Sequence, residues 1–115
     1  MSRAWREPVL RHPVLIVESD DWGAGPLEQA AALREIAHVL ARHRDATGRT
    51  PVMSLALVLA VPDGMAIRSG EAYRRVALDD PRFEPVRQAL RAGRERGVFA
   101  LQLHGLEHYW PPALL

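Results

Sequence analysis

The sequence predicts an α/β fold in which parallel strands are joined by crossover helices. Three apolar runs, 14–17, 52–61 and 98–103, are short enough to be strands and apolar enough to be buried on both faces. Two stretches between them, 26–44 and 84–97, carry apolar residues at the spacing of amphipathic helices. Strands and helices that alternate in this order favour a parallel sheet with right-handed crossovers.

The first strand is predicted over Val14–Val17, which is short, apolar and largely β-branched and ends at Glu18. After a loop, the first helix is predicted to begin at Pro26, because proline suits the first helical position. Glu28 favours the positive end of the helix dipole. The apolar face of this helix consists of Ala30, Leu33, Ile36, Ala37 and Leu40. Residues 45–51 are predicted to form the turn that follows.

The second strand is predicted as one segment over 52–61, because this run is almost wholly apolar and prolines bound it at Pro51 and Pro62. The segment that follows, up to Asp80, has weak periodicity, so we expect an irregular excursion with one helical turn near Tyr73.

The second helix is predicted from Glu84, with Gly97 as its stop. Its apolar face consists of Val86, Ala89, Leu90 and Gly93. The run Val98–Leu103 then predicts a third strand. Because three strands with two helices leave at least one sheet edge uncovered, the element order indicates the opening part of a larger α/β barrel, or a sheet edge covered by a second copy of the chain.

Size and composition restrict the class of protein. The 115 residues suffice for one domain, 1–115, and are too few for a complete eight-stranded barrel. Fifteen arginines and no lysine balance 14 acidic residues to a net charge of +1, which gives no reason to expect a nucleic acid or membrane partner. No pattern of a signal peptide or membrane span is present, so we expect a cytoplasmic protein. Without cysteine, any metal must be held by imidazole and carboxylate.

Two polar clusters follow the first and third apolar runs. Asp20 and Asp21 come after the first run, and His104 and His108 come after the third. The carboxyl ends of parallel strands meet at one edge of a sheet, where α/β folds place their chemistry, so we expect the clusters to be neighbours. Histidines four apart on a helical turn would face one cation. Taken separately, the histidines could be hydrogen-bonded loop residues, and the aspartates could cap the next helix or stabilise the turn.

Taken together, the clusters predict a hydrolytic metal site. A catalytic metal takes about three protein ligands and keeps a position open for water. The adjacent carboxylates leave the strand in different directions, so one can bind the metal, most simply zinc, while the other accepts a proton from the attacking water.

The paired aspartates and the His-x-x-x-His spacing resemble the first two motifs of the polysaccharide deacetylases. That resemblance implies a distorted (β/α) barrel and a metal-dependent hydrolase, often a zinc enzyme, that removes N- or O-acetyl groups from a carbohydrate. Asp20 would then be the catalytic base, and Asp21, His104 and His108 would be the metal ligands. The resemblance covers 14–110 and implies that the chain is the N-terminal portion of such a barrel.

The sequence departs from the family pattern at several points. The usual first motif is Thr-Phe-Asp-Asp-Gly, whereas Glu18 and Ser19 precede the aspartates here and Trp22 stands before the glycine. Gly105 replaces the usual serine or threonine of the second motif. The later motifs of the family, including its late catalytic histidine, fall beyond the matched stretch. The alternative hypothesis is therefore a truncated or inactive deacetylase-like domain that acts as an interaction or self-associating module.

Other polar and aromatic residues are weaker candidates. Four aromatic residues could stack on a sugar ring, although packing in the core or at an interface is equally expected: Trp22, Tyr73, Tyr109 and Trp110. Glu107, between the histidines, could orient a metal ligand, although a solvated carboxylate is the simpler expectation.

Overall fold

Strands of two sheets are present in the computed structural model, which describes residues 9–70 and 72–108. The strands are β1 (Val17–Gly23), β2 (Met53–Val58), β3 (Ala60–Pro62), β4 (Arg75–Ala77) and β5 (Phe99–Gly105). The first sheet has the order β1-β2-β5, and both of its strand pairs are parallel. Strands β3 and β4 form a small antiparallel hairpin. The predicted α/β class with a parallel sheet is therefore confirmed.

Three α-helices accompany these strands in the described ranges: α1 (Gln29–Ala41), α2 (Gly64–Arg68) and α3 (Glu84–Glu95). The core lies where α1 and α3 pack against each other and the three-stranded sheet, and its buried residues are Ala30, Leu33, Ala37, Leu55, Val86, Ala89, Leu90, Val98 and Phe99. These residues include most of the apolar faces predicted from helical spacing. Each helix in these ranges is too short or too polar to cross a membrane.

A glycine of α3 sets how closely this helix approaches the sheet. Gly93 is buried, and a Cβ atom built on it would lie only 2.1 Å from Cδ2 of Phe99 in β5. The Phe99 ring is itself buried among the core residues. The absence of a side chain at Gly93 therefore lets the ring lie directly against the helix backbone.

The first strand lies later than predicted. It begins at Val17, the last residue of the predicted strand, and continues through the acidic residues to Gly23. Val14, Leu15 and Ile16 precede it and are 62%, 88% and 71% exposed. Strand pairing explains this later start, because β2 begins only at Met53, the register partner of Val17. The expectation of strands buried on both faces is also wrong for β1 and β5, whose residues are largely exposed or half-buried.

The segment predicted as the second strand forms two separate strands. The strand is interrupted at Leu59, so that β2 belongs to the parallel sheet while β3 pairs with β4 in the hairpin. The expected irregular excursion contains α2, whose N-terminus Asp63 caps by accepting hydrogen bonds from the backbone of Met65 and Ala66, and then β4. The expected helical turn near Tyr73 is absent from the described residues there. The second helix and the third strand agree with the prediction to within two residues.

The two faces of the parallel sheet differ in composition. Leu55 points toward the helices, and alternation along the strand places its neighbours on the opposite face. Strand register groups small and polar residues on that second face, namely Glu18, Ser54, Ala56, Ala100 and Gln102. His104 follows Gln102 by two positions, so the polar face leads toward the end of β5 that carries the candidate site.

Candidate metal centre

Asp21 lies in an irregular stretch of an otherwise regular strand. The register between β1 and β2 shifts between Ser19 and Trp22, which leaves Asp20 and Asp21 in a bulge. Asp21 has a φ of 65°, in the left-handed region, which aspartate tolerates better than most residues. The indole Nε1 of Trp22 donates to Oγ of Ser19 over 2.9 Å and closes the bulge. Asp21 has a positive φ and Asp20 does not, so the backbone conformation differs at the two carboxylates.

Gly23 fixes the end of β1 just after the bulge. Its φ is 114°, and a Cβ atom at this position would lie 2.5 Å from the carbonyl oxygen of Val58. The Gln29 side chain accepts from the Gly23 nitrogen over 2.9 Å and donates to its carbonyl oxygen over 3.0 Å. Ala24 N donates to the same Val58 oxygen over 2.9 Å. The strand end next to Asp21 is therefore tied to both β2 and α1.

Replacing Gly23 with alanine is expected to lower the free energy of unfolding by about 2 kcal/mol or more, because a strained φ and a backbone clash add. Gly48 to alanine is the matched control, since Gly48 also has a positive φ, of 84°, but nothing within 4 Å of an added Cβ. Urea unfolding of both variants measures the difference. Equal losses would contradict a role for the close approach to Val58.

The histidines meet Asp21 from the end of β5. His104 is the penultimate residue of the strand, and His108 lies three residues beyond its end. Nε2 of His108 is 3.1 Å from Oδ1 of Asp21, and Nε2 of His104 is 3.6 Å from the same oxygen. The two imidazole rings have centroids 5.8 Å apart and planes inclined by 38°. One ligand atom from each of the three residues lies within 4.8 Å of the others.

This convergence does not use the helical turn that the spacing predicts. His104 belongs to a strand, and the described residues after it contain bends at Leu106 and His108 without a helix. Hydrogen bonds from Leu59 N to the Gly105 carbonyl oxygen (3.1 Å) and from Ala60 N to that of Leu106 (2.7 Å) direct the chain after β5. A bent loop, and not the expected helical turn, therefore brings His108 close to Asp21.

The donor set fits a divalent metal such as zinc. Zinc binds imidazole nitrogen and carboxylate oxygen at about 2.0–2.1 Å in tetrahedral sites, which places neighbouring donors about 3.4 Å apart. The two distances from Asp21 to the histidines, 3.1 and 3.6 Å, lie on either side of that value. The side chains of Asp21, His104 and His108 are 57%, 38% and 61% exposed, so an ion and a water molecule can reach them.

Asp20, the residue predicted as the base, does not belong to this three-residue cluster. It is exposed and lies in the same bulge, one residue before Asp21. The structure thus brings together three of the four predicted site residues. The fourth, Asp20, is next to Asp21 in the chain. The role of Asp20 stays a prediction.

Glu107, the residue between the histidines that could orient a metal ligand, lies in the loop after β5. The expectation of a solvated carboxylate is wrong, since its side chain is only 7% exposed. The Tyr73 hydroxyl donates to Oε2 of Glu107, and Nε of Arg75 lies 3.4 Å from Oε1. Desolvation raises the pKa of the Tyr73 phenol, and the hydrogen bond to Glu107 raises this pKa further, so the phenol keeps its proton as donor at neutral pH.

Two of the four aromatic residues named as candidates for stacking on a sugar ring make other contacts within the described part of the chain. Trp22 is half-buried against the core and bonded to Ser19, and Tyr73 is bonded to Glu107. Tyr109 and Trp110, the other two members, lie outside the described residues.

Comparisons with protein-family models, with curated proteins and with solved structures each find no match to this chain. The geometry and chemistry of the chain's own residues are therefore what indicates its function.

Proposed function

We propose that this chain is a metal-dependent hydrolase of the polysaccharide deacetylase type, which removes acetyl groups from a carbohydrate. The observation that carries the proposal is the convergence of Asp21, His104 and His108, which come from opposite ends of the described chain and meet at one end of a parallel sheet. Catalytic zinc sites use this kind of ligand set, with three protein donors from imidazole and carboxylate.

In this proposal Asp21, His104 and His108 would hold the ion, with Oδ1 of Asp21 lying 3.1 Å from Nε2 of His108 and 3.6 Å from Nε2 of His104. A divalent metal bound there would lower the pKa of a water molecule toward 7 and would stabilise the oxyanion that develops on the acetyl carbonyl. Asp20, exposed beside Asp21, accepts the proton of the attacking water. The water oxygen bonds to the carbonyl carbon, the bond to the sugar nitrogen or oxygen breaks, and the proton passes to that leaving atom, so that acetate and the free sugar are formed.

The position of the cluster on the sheet supports this chemistry. Asp21 and His104 lie near the carboxyl ends of β1 and β5, and α/β barrels hold their catalytic residues at this end of their strands. The near-neutral net charge of +1 suits an uncharged carbohydrate better than a nucleic acid or an anionic membrane. The proposed substrate class is therefore an acetylated sugar polymer or oligomer.

The test is acetate release by the zinc-loaded chain from a panel of N-acetylated and O-acetylated oligosaccharides. We expect Asp20→Asn to lower kcat by about 100-fold or more while zinc affinity is kept, because the variant removes a base and no ligand. Asp79→Asn is the control, since it removes another exposed carboxylate, from the region between β4 and α3. Absence of acetate release by the wild type, or equal rates for Asp20→Asn and wild type, would contradict the proposal.

A self-associating module is the second candidate function, and exposed leucines favour it. Leu103 and Leu106 are 71% and 52% exposed at the end of β5, which in the described part of the chain pairs on one side only. Concentration-dependent dimers in light scattering, without acetate release from any substrate, would favour this candidate over the enzyme.

A further inference from the structure

We propose that Glu107 is a positioning residue that braces the loop after β5 against the β3–β4 hairpin and so presents His108 to Asp21. This inference rests on the proposed function, because the site it would pre-form is the proposed metal centre. It assigns a purpose to a carboxylate that does not belong to the three-residue cluster.

Burial singles out Glu107 within an exposed segment. Its neighbours Leu106 and His108 are 52% and 61% exposed, whereas the Glu107 side chain is 7% exposed. A carboxylate is costly to take out of water unless hydrogen bonds or an ion pair compensate. The inward orientation of this one charged side chain therefore requires specific partners.

Those partners lie on and just before β4. The Tyr73 hydroxyl donates to Oε2, and the Arg75 guanidinium forms an ion pair with Oε1 at 3.4 Å. Oε1 makes no hydrogen bond among the described residues, so the ion pair is its compensation there. One carboxylate thus links the loop to two side chains of the hairpin region.

A second set of contacts fixes the same loop through its backbone. Leu59 and Ala60 donate to the carbonyl oxygens of Gly105 and Leu106, and Ala60 is the first residue of β3. Because β3 pairs with β4, the backbone contacts and the Glu107 contacts come from one hairpin. The segment is held at three consecutive residues, Gly105, Leu106 and Glu107, and His108 follows directly.

The two histidines depend on this brace unequally. His104 belongs to β5 and lies between Leu103 and Gly105, which both pair with β2, whereas His108 lies in the loop beyond Glu107. Loss of the brace should therefore free His108 and leave His104 in place. This asymmetry separates a positioning role from a general loss of stability.

The experiment compares Glu107→Gln, which removes the charge at nearly constant size, and Tyr73→Phe, which removes only the hydroxyl. Asp45→Asn is the control, because Asp45 also ties a loop, by accepting hydrogen bonds from Thr47 and Arg49, between α1 and β2. Zinc affinity is measured by calorimetry, and backbone order at both histidines is measured by ¹⁵N relaxation in the metal-free protein.

We expect Glu107→Gln to lower zinc affinity about 10-fold and Tyr73→Phe to lower it less, in the range found for residues that orient metal ligands. In metal-free protein the order parameter of His108 should fall while that of His104 is kept, and Asp45→Asn should change neither. Unchanged order at His108 in folded Tyr73→Phe and Glu107→Gln would overturn the inference. If the wild type binds no zinc but His108 still loosens in both variants, the proposed function fails and the positioning role stands.

Discussion

Replacing both His104 and His108 with alanine is expected to lower zinc affinity by more than about 100-fold, because two of the three donor groups are removed and one carboxylate cannot hold the ion alone. The fold should be retained, since both side chains are exposed and neither belongs to the core. Calorimetric titration of zinc into the metal-stripped variant measures the affinity, and circular dichroism checks the fold.

The matched control for this variant is the pair His38→Ala and His43→Ala. These histidines are also exposed, one in α1 and the other just after it, and they do not belong to the three-residue cluster. The control should bind zinc like the wild type. Equal affinity of the His104 and His108 variant and the wild type would show that zinc binds elsewhere.

Replacing Gly93 with alanine is expected to give the largest loss of stability, about 3 kcal/mol or more. The added Cβ would lie 2.1 Å from one ring carbon of Phe99 and 2.4 Å from another, so α3 and β5 cannot keep their spacing. The higher helix propensity of alanine offsets only about 1 kcal/mol of this loss. Urea unfolding followed by circular dichroism measures the change.

A second substitution tests whether the clash with Phe99 causes that loss. Phe99→Leu removes the ring that the new Cβ would strike, so the double variant should be more stable than the two single losses added together. Strict additivity, or a Gly93→Ala variant as stable as the wild type, would contradict the close packing of α3 on β5.

The helical part of the fold was predictable because it depends on periodicity within one segment. The apolar faces of α1 and α3 are read directly from residues three and four apart, and both faces lie in the core. The start of β1 was not predictable in this way. Pairing with β2 determines which residues form β1, and this pairing begins at Met53. The more apolar segment Val14–Ile16 is therefore exposed, while polar Glu18 lies in the strand.

In the candidate site, too, some features follow from the local sequence and others depend on contacts with distant segments. The order of the apolar runs predicted that the aspartate pair and the two histidines share one sheet end, and the family resemblance then assigned Asp21, His104 and His108 as the ligands. The bent path from His104 to His108 could not be predicted from the sequence, because backbone hydrogen bonds from Leu59 and Ala60 direct it. Burial of Glu107 was equally hidden, since its partner Tyr73 lies 34 positions away in the chain.

The most direct test of the proposed metal centre is a crystal structure of the zinc-loaded chain with anomalous data collected at the zinc edge. We expect one strong anomalous peak about 2.0–2.2 Å from Oδ1 of Asp21 and from Nε2 of both His104 and His108. A peak bound by other side chains, or no peak at this end of β5 in crystals where the strand end faces solvent, would contradict the proposed ligand set.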